Sequence, residues 1–241
     1  MTSAPHFPPL FEGLGLTGAA DPFAKAQLQA TMGCDAGLVV YNIAADQMRA
    51  AIVFAPEVPL EAAMPVMICC AIGFQNALGA LAPPEVGVHL DWTGGIYVNG
   101  ASCGRMQVAA STDDPSAEPD WLVVGLELPL LPIDPNTPGN TPNQTCLFEE
   151  GCVDIPPEDL LSAWVRHTLV WINRMEDAGM KPLNEEWRGL AKNLGEEVSF
   201  SLAGNTHSGL FVGVDEHFGM LLRDGDDTRL IPLSTLLQGD T

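Results

Sequence analysis

Positive charge is what this chain has least of. Ten lysines and arginines face 31 aspartates and glutamates, for a formal net charge of −21. Residues 1–155 hold only Lys25, Arg49 and Arg105 against 17 carboxylates. Binding of DNA, RNA or an anionic membrane rests on neutralising phosphates with Lys and Arg, so none of these is an expected partner. The same shortage counts against holding a nucleoside triphosphate. No basic segment followed by an apolar run stands at the start, so no signal peptide is expected. The most apolar run, residues 64–73, is about half of the roughly 20 residues that span a bilayer, and Gln75 and Asn76 follow it. No Cys-x-x-Cys pair occurs among the six cysteines, and Cys69 and Cys70 are adjacent inside an apolar helical pattern. Free thiols in a reducing compartment are the expectation. No set of His and Cys has the spacing of zinc ligands, so no metal is expected. These absences describe a soluble, cytoplasmic protein.

What is present describes a globular core: 46% hydrophobic and 17% charged residues over 241 positions. Residues 1–20, rich in Pro and Gly, read as an irregular arm. Asp21 and Pro22 start a helix that runs to Gly33. GLVVYNI and MRAAIVFAP read as two strands joined at AADQ, and apolar residues recur at helical spacing from 60 to 81 until Pro83 and Pro84 stop them. In EVGVHLDW, residues 85–92, Val86, Val88, Leu90 and Trp92 share one face, while Gly87, His89 and Asp91 share the other. Asn99-Gly100 is a hairpin turn. A strand over 121–130 leads into a Pro-rich loop that continues to about 145. A helix follows over 157–178 with Trp164 and Trp171 in its core stripe and Gly179 as its stop, and a shorter one covers 183–194. From Glu196 four short strands alternate with turns, which sets a boundary at 194/195. The expected organisation is an arm over 1–20, a main domain over 21–194 and a small barrel over 195–241. The barrel alone is expected to be marginal and 1–194 to stay folded.

Five stretches, taken in order, carry a resemblance. VHLDWTGGIYVNGASCGRMQ (88–107) comes first and WLVVGLELPL second. LFEEGC with the 157–178 helix, LNEEWRGLAKNLGEEVSF, and GLFVGVDEHFGMLLRDGDDTRLIPLSTLL follow. Together, over about 85–237, they resemble biotin protein ligases of the biotin/lipoate ligase family. That family has a strand ending Lys-Trp-Pro-Asn-Asp, a hydrophobic hairpin strand, a polar turn, Leu-Gly-Gly-Ile, and then a Gly-Ile-Gly-Ile-Asn-Val strand. Trp92 matches the tryptophan, Ile96, Tyr97 and Val98 the hairpin strand, Asn99 and Gly100 its turn, and Gly104 the first glycine of the pair. The resemblance implies an α+β fold: a mixed sheet with flanking helices, plus a small SH3-like all-β C-terminal barrel. It also implies a ligand pocket formed from Gly87, His89, Asp91, Trp92, Gly94, Gly95, Gly104, Arg105 and Glu127.

Against the family pattern the substitutions fall where the chemistry is. The essential lysine, which in the family contacts the biotin carboxylate and the adenylate phosphate, aligns with Asp91. A cation offsets charge there, whereas a carboxylate repels it. Thr93, Gly94 and Gly95 stand for Pro-Asn-Asp, Arg105 for the second Gly of Leu-Gly-Gly, and Glu127 and Pro129 for the second Gly and the Asn of the next strand. The Gly-Arg-Gly-Arg loop that folds over the adenylate is missing. AADQMRAAIVFAPEVP stands in its place, with Arg49 as its one arginine and no glycine.

No catalytic residue is therefore assigned, and biotin and ATP are implied as cofactors only if the chain is a working ligase. Three readings remain open. The preferred one is a ligase-like protein without ligation, holding a small acyl-like ligand or a carrier-type protein. The others are an active ligase or acyltransferase with an atypical site, and a non-catalytic interaction module. Arg105 is expected to pair with Asp91 across the hairpin. Cys103 beside Gly104 raises the thought of thiol transfer, which needs a neighbouring base that the sequence does not supply.

Overall fold

The alternating stretches of the sequence become strands in the computed structural model, which describes residues 4–132, 143–202 and 204–237. These are β1 (Glu12–Gly15), β2 (Leu38–Ile43), β3 (Gln47–Phe54), β4 (Val88–Leu90), β5 (Gly95–Val98), β6 (Ala101–Ala110) and β7 (Leu122–Pro129). They form one sheet in the order β1-β2-β3-β7-β6-β5-β4, antiparallel throughout except for the parallel β1–β2 pair. Residues 12–15, expected within an irregular arm, are a strand because β2 offers them a free edge. Nothing local in Glu-Gly-Leu-Gly announces this. Residues 133–142 of the expected Pro-rich loop lie outside the described residues.

Helices cover both faces of this sheet. On one face lie α2 (Leu60–Ala63), α3 (Val66–Leu81), α4 (Pro157–Ala178) and α5 (Met180–Leu190). The single helix expected over 60–81 is broken at Pro65, which lacks the N–H that would continue it. This 60–81 stretch is long and apolar enough to cross a bilayer by length and composition, yet 72% of its apolar window is buried inside the protein. It is the core helix. Trp164 and Trp171 of α4 donate their indole N–H groups to the Cys70 carbonyl (2.9 Å) and Asn76 Oδ1 (2.8 Å) of α3, so both tryptophans are packing residues. Gly73 lets the two helices touch, since a Cβ there would sit 2.7 Å from Thr168 Oγ1. On the opposite face a single helix, α1 (Pro22–Thr31), is capped by the Asp21 carboxylate on the Phe23 N–H (3.0 Å). It packs Phe23, Ala26 and Ala30 onto Val40, Ala51, Val53, Ala109 and Val123.

The C-terminal strands β8 (Glu197–Leu202), β9 (Asn205–Val214), β10 (Met220–Asp224) and β11 (Asp227–Ile231) form a second, antiparallel sheet ordered β11-β10-β9-β8, followed by a short 3-10 turn over Leu233–Leu236. The fold is therefore α+β, a mixed sheet with helices and a small all-β unit at the C-terminus. The two units share one hydrophobic core. Trp187 of α5, 1% exposed, meets the rings of Phe211 and Phe218 edge-on at 6.1 Å each.

Candidate functional site

Because α1 covers only part of its face, the rest of that face is left to polar side chains. Register explains which ones. Asn42 lies opposite Arg49, Arg49 opposite Glu127, Glu127 opposite Arg105, and Arg105 opposite Gly95. Gly95 in turn exchanges backbone and side-chain hydrogen bonds with Asp91. One row of alternating charge thus crosses the sheet from β2 to the end of β4.

Asp91 is held on three sides. Its Oδ1 accepts from Thr93 Oγ1 at 2.7 Å and from the Gly95 N–H at 2.8 Å, and its Oδ2 accepts from the Tyr97 hydroxyl at 3.1 Å. The carboxylate therefore ties a tight turn: the Asp91 N–H donates to the Gly95 carbonyl (2.9 Å), and the Gly94 carbonyl accepts from the Met106 N–H (2.7 Å). Tyr97 feels the arrangement. Burial, the Asp91 charge and the hydrogen bond to it push its hydroxyl up to about 12. The Lys192 ammonium sits 4.2 Å from the centre of the Tyr97 ring.

The expected pairing of Arg105 with Asp91 does not form. Arg105 Nε instead donates to Glu127 Oε2 at 2.7 Å. The cause is register, which sets the glycine Gly95 opposite Arg105 on one side and the carboxylate Glu127 directly opposite on the other. Arg49 is also engaged, donating to the Ala20 carbonyl at 3.3 Å. Arg49, Arg105 and Lys192 are therefore already engaged, by a carbonyl, a carboxylate and a ring respectively.

The remaining candidates fall into two groups. Gly87 and His89 lie on the polar face, with the Gly87 N–H donating to Asn99 Oδ1 (2.9 Å) and His89 exposed opposite Tyr97. Trp92 does not line this face. It is 2% exposed on the helix side of the sheet and donates its indole N–H to the Phe218 carbonyl at 2.7 Å. It joins the two units. Gly104 takes a φ of +124° in the irregular stretch of β6, where a Cβ would overlap the Glu127 carbonyl oxygen. Just before it, Cys103 is fully buried in the helix-side core, and burial pushes its thiol far above its ordinary value. Behind the Asp91 turn a cavity of about 10 Å³ remains between Met67, Leu90 and Trp187, room for one water at most.

Three residues escaped the sequence reading. Thr93 and Tyr97 complete the hold on Asp91. Gln107 of β6, 7% exposed, lies opposite Gly125 in the next row. Its alternation with Arg105 would have placed it on this face. Between β2 and β3 the chain makes a three-residue turn closed by the Ala44 N–H on the Gln47 carbonyl (2.9 Å). Among the described residues no group of three or more His, Cys, Asp or Glu is arranged to hold a metal ion.

Comparison with known proteins agrees with this fold. The profile of the biotin/lipoate A/B protein ligase family matches residues 7–189, and that of a domain of unknown function (DUF4444) matches residues 194–239. A biotin–[acetyl-CoA-carboxylase] ligase of Paracoccus denitrificans is 23% identical over 189 residues, 78% of each chain. The crystal structure of a biotin protein ligase-like protein of unknown function from Silicibacter sp. TM1040 is 53% identical. It superposes with a TM-score of 0.90 over 98% of this chain and 100% of its own. The biotin protein ligase of Aquifex aeolicus shares the fold at 15% identity, with a TM-score of 0.74 over 92% of this chain and 95% of its own. The chain belongs to the biotin/lipoate A/B protein ligase family.

Proposed function

We propose that this protein keeps the ligase fold without the ligation, and that its polar sheet face holds the uncharged head of a biotin- or lipoyl-type group. The observation that carries the reading is Asp91. It stands where the family's lysine is expected and is tied by Thr93, Gly95 and Tyr97 rather than by a cation. An incoming carboxylate about 4 Å from it meets a repulsion of roughly 4 kcal/mol at an effective dielectric of 20. The three-residue β2–β3 turn offers no loop to fold over a nucleotide, and Arg49 and Arg105 are both engaged. A carrier-type protein bearing such a group as an amide fits the same face, and a cytoplasmic setting fits the free thiols.

Thermal shift with paired ligands tests this. At about a hundredfold over the dissociation constant a ligand stabilises the fold by ~2.7 kcal/mol. For a chain of this size that is roughly 5–10 °C. Biotinamide or lipoamide should give such a shift, and biotin, lipoate and ATP should give none. A clear shift with free biotin reverses the ranking, and no shift with any of them favours the interaction module. The second reading, an active ligase with an atypical site, is favoured by the 23% identity to the Paracoccus enzyme.

A further inference from the structure

We propose that a cleft at the far end of the sheet is a binding site for a small organic amine, a primary ammonium on an apolar stem. The cleft measures about 510 Å³ and opens where the last turn of α1 overhangs the end of β3 and the entry to β7. That volume falls within the range of small-molecule pockets. Phe54 in its wall is five residues along β3 from Arg49, about 17 Å at ~3.3 Å per residue, so the cleft lies well away from the Arg49–Asp91 row.

Its walls and its charge point to one ligand class. Val53, Phe54 and Trp121 offer apolar surface, and no Lys, Arg or His lines the cleft. Asp120 does, and its carboxylate has no ion pair or hydrogen bond among the described residues. The residue itself is fixed, with its backbone N–H on Ser111 Oγ at 2.7 Å and the Ser111 N–H on the Trp121 carbonyl at 3.1 Å. The C-terminal end of α1, the negative end of its dipole, reaches the cleft without a basic residue in its last turn. Cys34 lines the same wall, and burial first, with the neighbouring Asp35 second, raises its thiol above the ordinary value. The indole of Trp121 adds a ring that attracts cations within about 6 Å of its centre. An ammonium meets favourable charge here and a carboxylate meets none.

Cys34 supplies the readout, since it is half-buried while the other five cysteines are buried. The full-length protein would be alkylated with a neutral maleimide in the presence of 3-phenylpropylamine or 3-phenylpropionate, with labelling assigned by peptide mass. At about tenfold over a dissociation constant of ~1 mM, occupancy slows Cys34 labelling roughly tenfold. The amine should protect and the acid should not. Asp120→Asn should weaken the amine about two- to fivefold, as expected for an exposed ion pair, with circular dichroism confirming that the variant is folded. Equal protection by the acid, no protection by the amine up to tens of millimolar, or an unchanged affinity in Asp120→Asn would each overturn the proposal.

Discussion

Replacing Trp187 with alanine should lower the melting temperature of the whole chain in a single transition. Trp187 is 1% exposed, and its ring meets Phe211 and Phe218 at 6.1 Å with interplanar angles of 61° and 89°. Truncating a buried aromatic to alanine costs about 3–5 kcal/mol. Each edge-to-face pair accounts for roughly 0.5–1.5 kcal/mol beyond area burial. At about 2–4 °C for each kcal/mol in a chain of this length, the drop is roughly 6–20 °C. Calorimetry is the assay, because it separates one transition from two. If the C-terminal strands melt on their own and Trp187→Ala moves only that event, the shared core is refuted. The same reasoning opposes the expectation that residues 1–194 stay folded alone. Cutting there strips Phe211 and Phe218 from Trp187 and the Phe218 carbonyl from Trp92, so the fragment should melt well below the full chain.

Three further outcomes follow from the site. Tyr97, raised to about 12, should ionise late in an ultraviolet titration read as the difference between wild type and Tyr97→Phe, and Asp91→Asn should lower it only in part, because burial is the largest cause and remains. Because its folded pKa lies above the unfolded value, the stability it contributes is complete below pH ~10 and is lost as pH rises from ~10 to ~12. A Tyr97 difference signal centred near pH ~10, the ordinary tyrosine value, would contradict the hold on Asp91. Gly104→Ala should cost more than Gly100→Ala in denaturant melts. Both have positive φ, worth about 1–2 kcal/mol of strain, but only the Gly104 Cβ would meet a carbonyl oxygen, while the Gly100 Cβ points into open space. Equal losses would show that β6 relaxes freely at this point. Asp91→Lys alone should leave biotin ligation undetectable in a carrier-labelling blot, since the nucleotide loop would still be missing.

Most of the fold could be read from local pattern, and most of the site could not. Strand alternation placed Gly87, His89 and Asp91 on one face, and helical periodicity placed Trp164 and Trp171 in the core. Asn99-Gly100 set the β5–β6 hairpin, with φ of 49° and 91°. These signals are properties of neighbouring residues. The β1–β2 pairing, the Arg105–Glu127 ion pair and the role of Trp92 depend instead on register between distant segments, 22 residues apart for the ion pair and 126 for Trp92 and Phe218. Pairing Arg105 with Asp91 across the hairpin was the wrong rule, because Glu127, directly opposite on the next strand, outranks it. Asp91 was legible as a substitution, but its restraint by Thr93, Gly95 and Tyr97 required the turn to be seen closed.

The most direct test of the account is pyrophosphate release from the purified full-length protein given biotin, ATP and magnesium. On the proposed reading, in which Asp91 takes the lysine position and the three-residue β2–β3 turn replaces the nucleotide loop, release should not exceed the no-enzyme control. Loss of a single donor of this kind typically costs about 10²–10³ in rate, and the proposed reading removes both the lysine and the loop. Release that requires both biotin and ATP would contradict the central claim, and would mark the chain as a working ligase with Arg105 in place of the lost lysine.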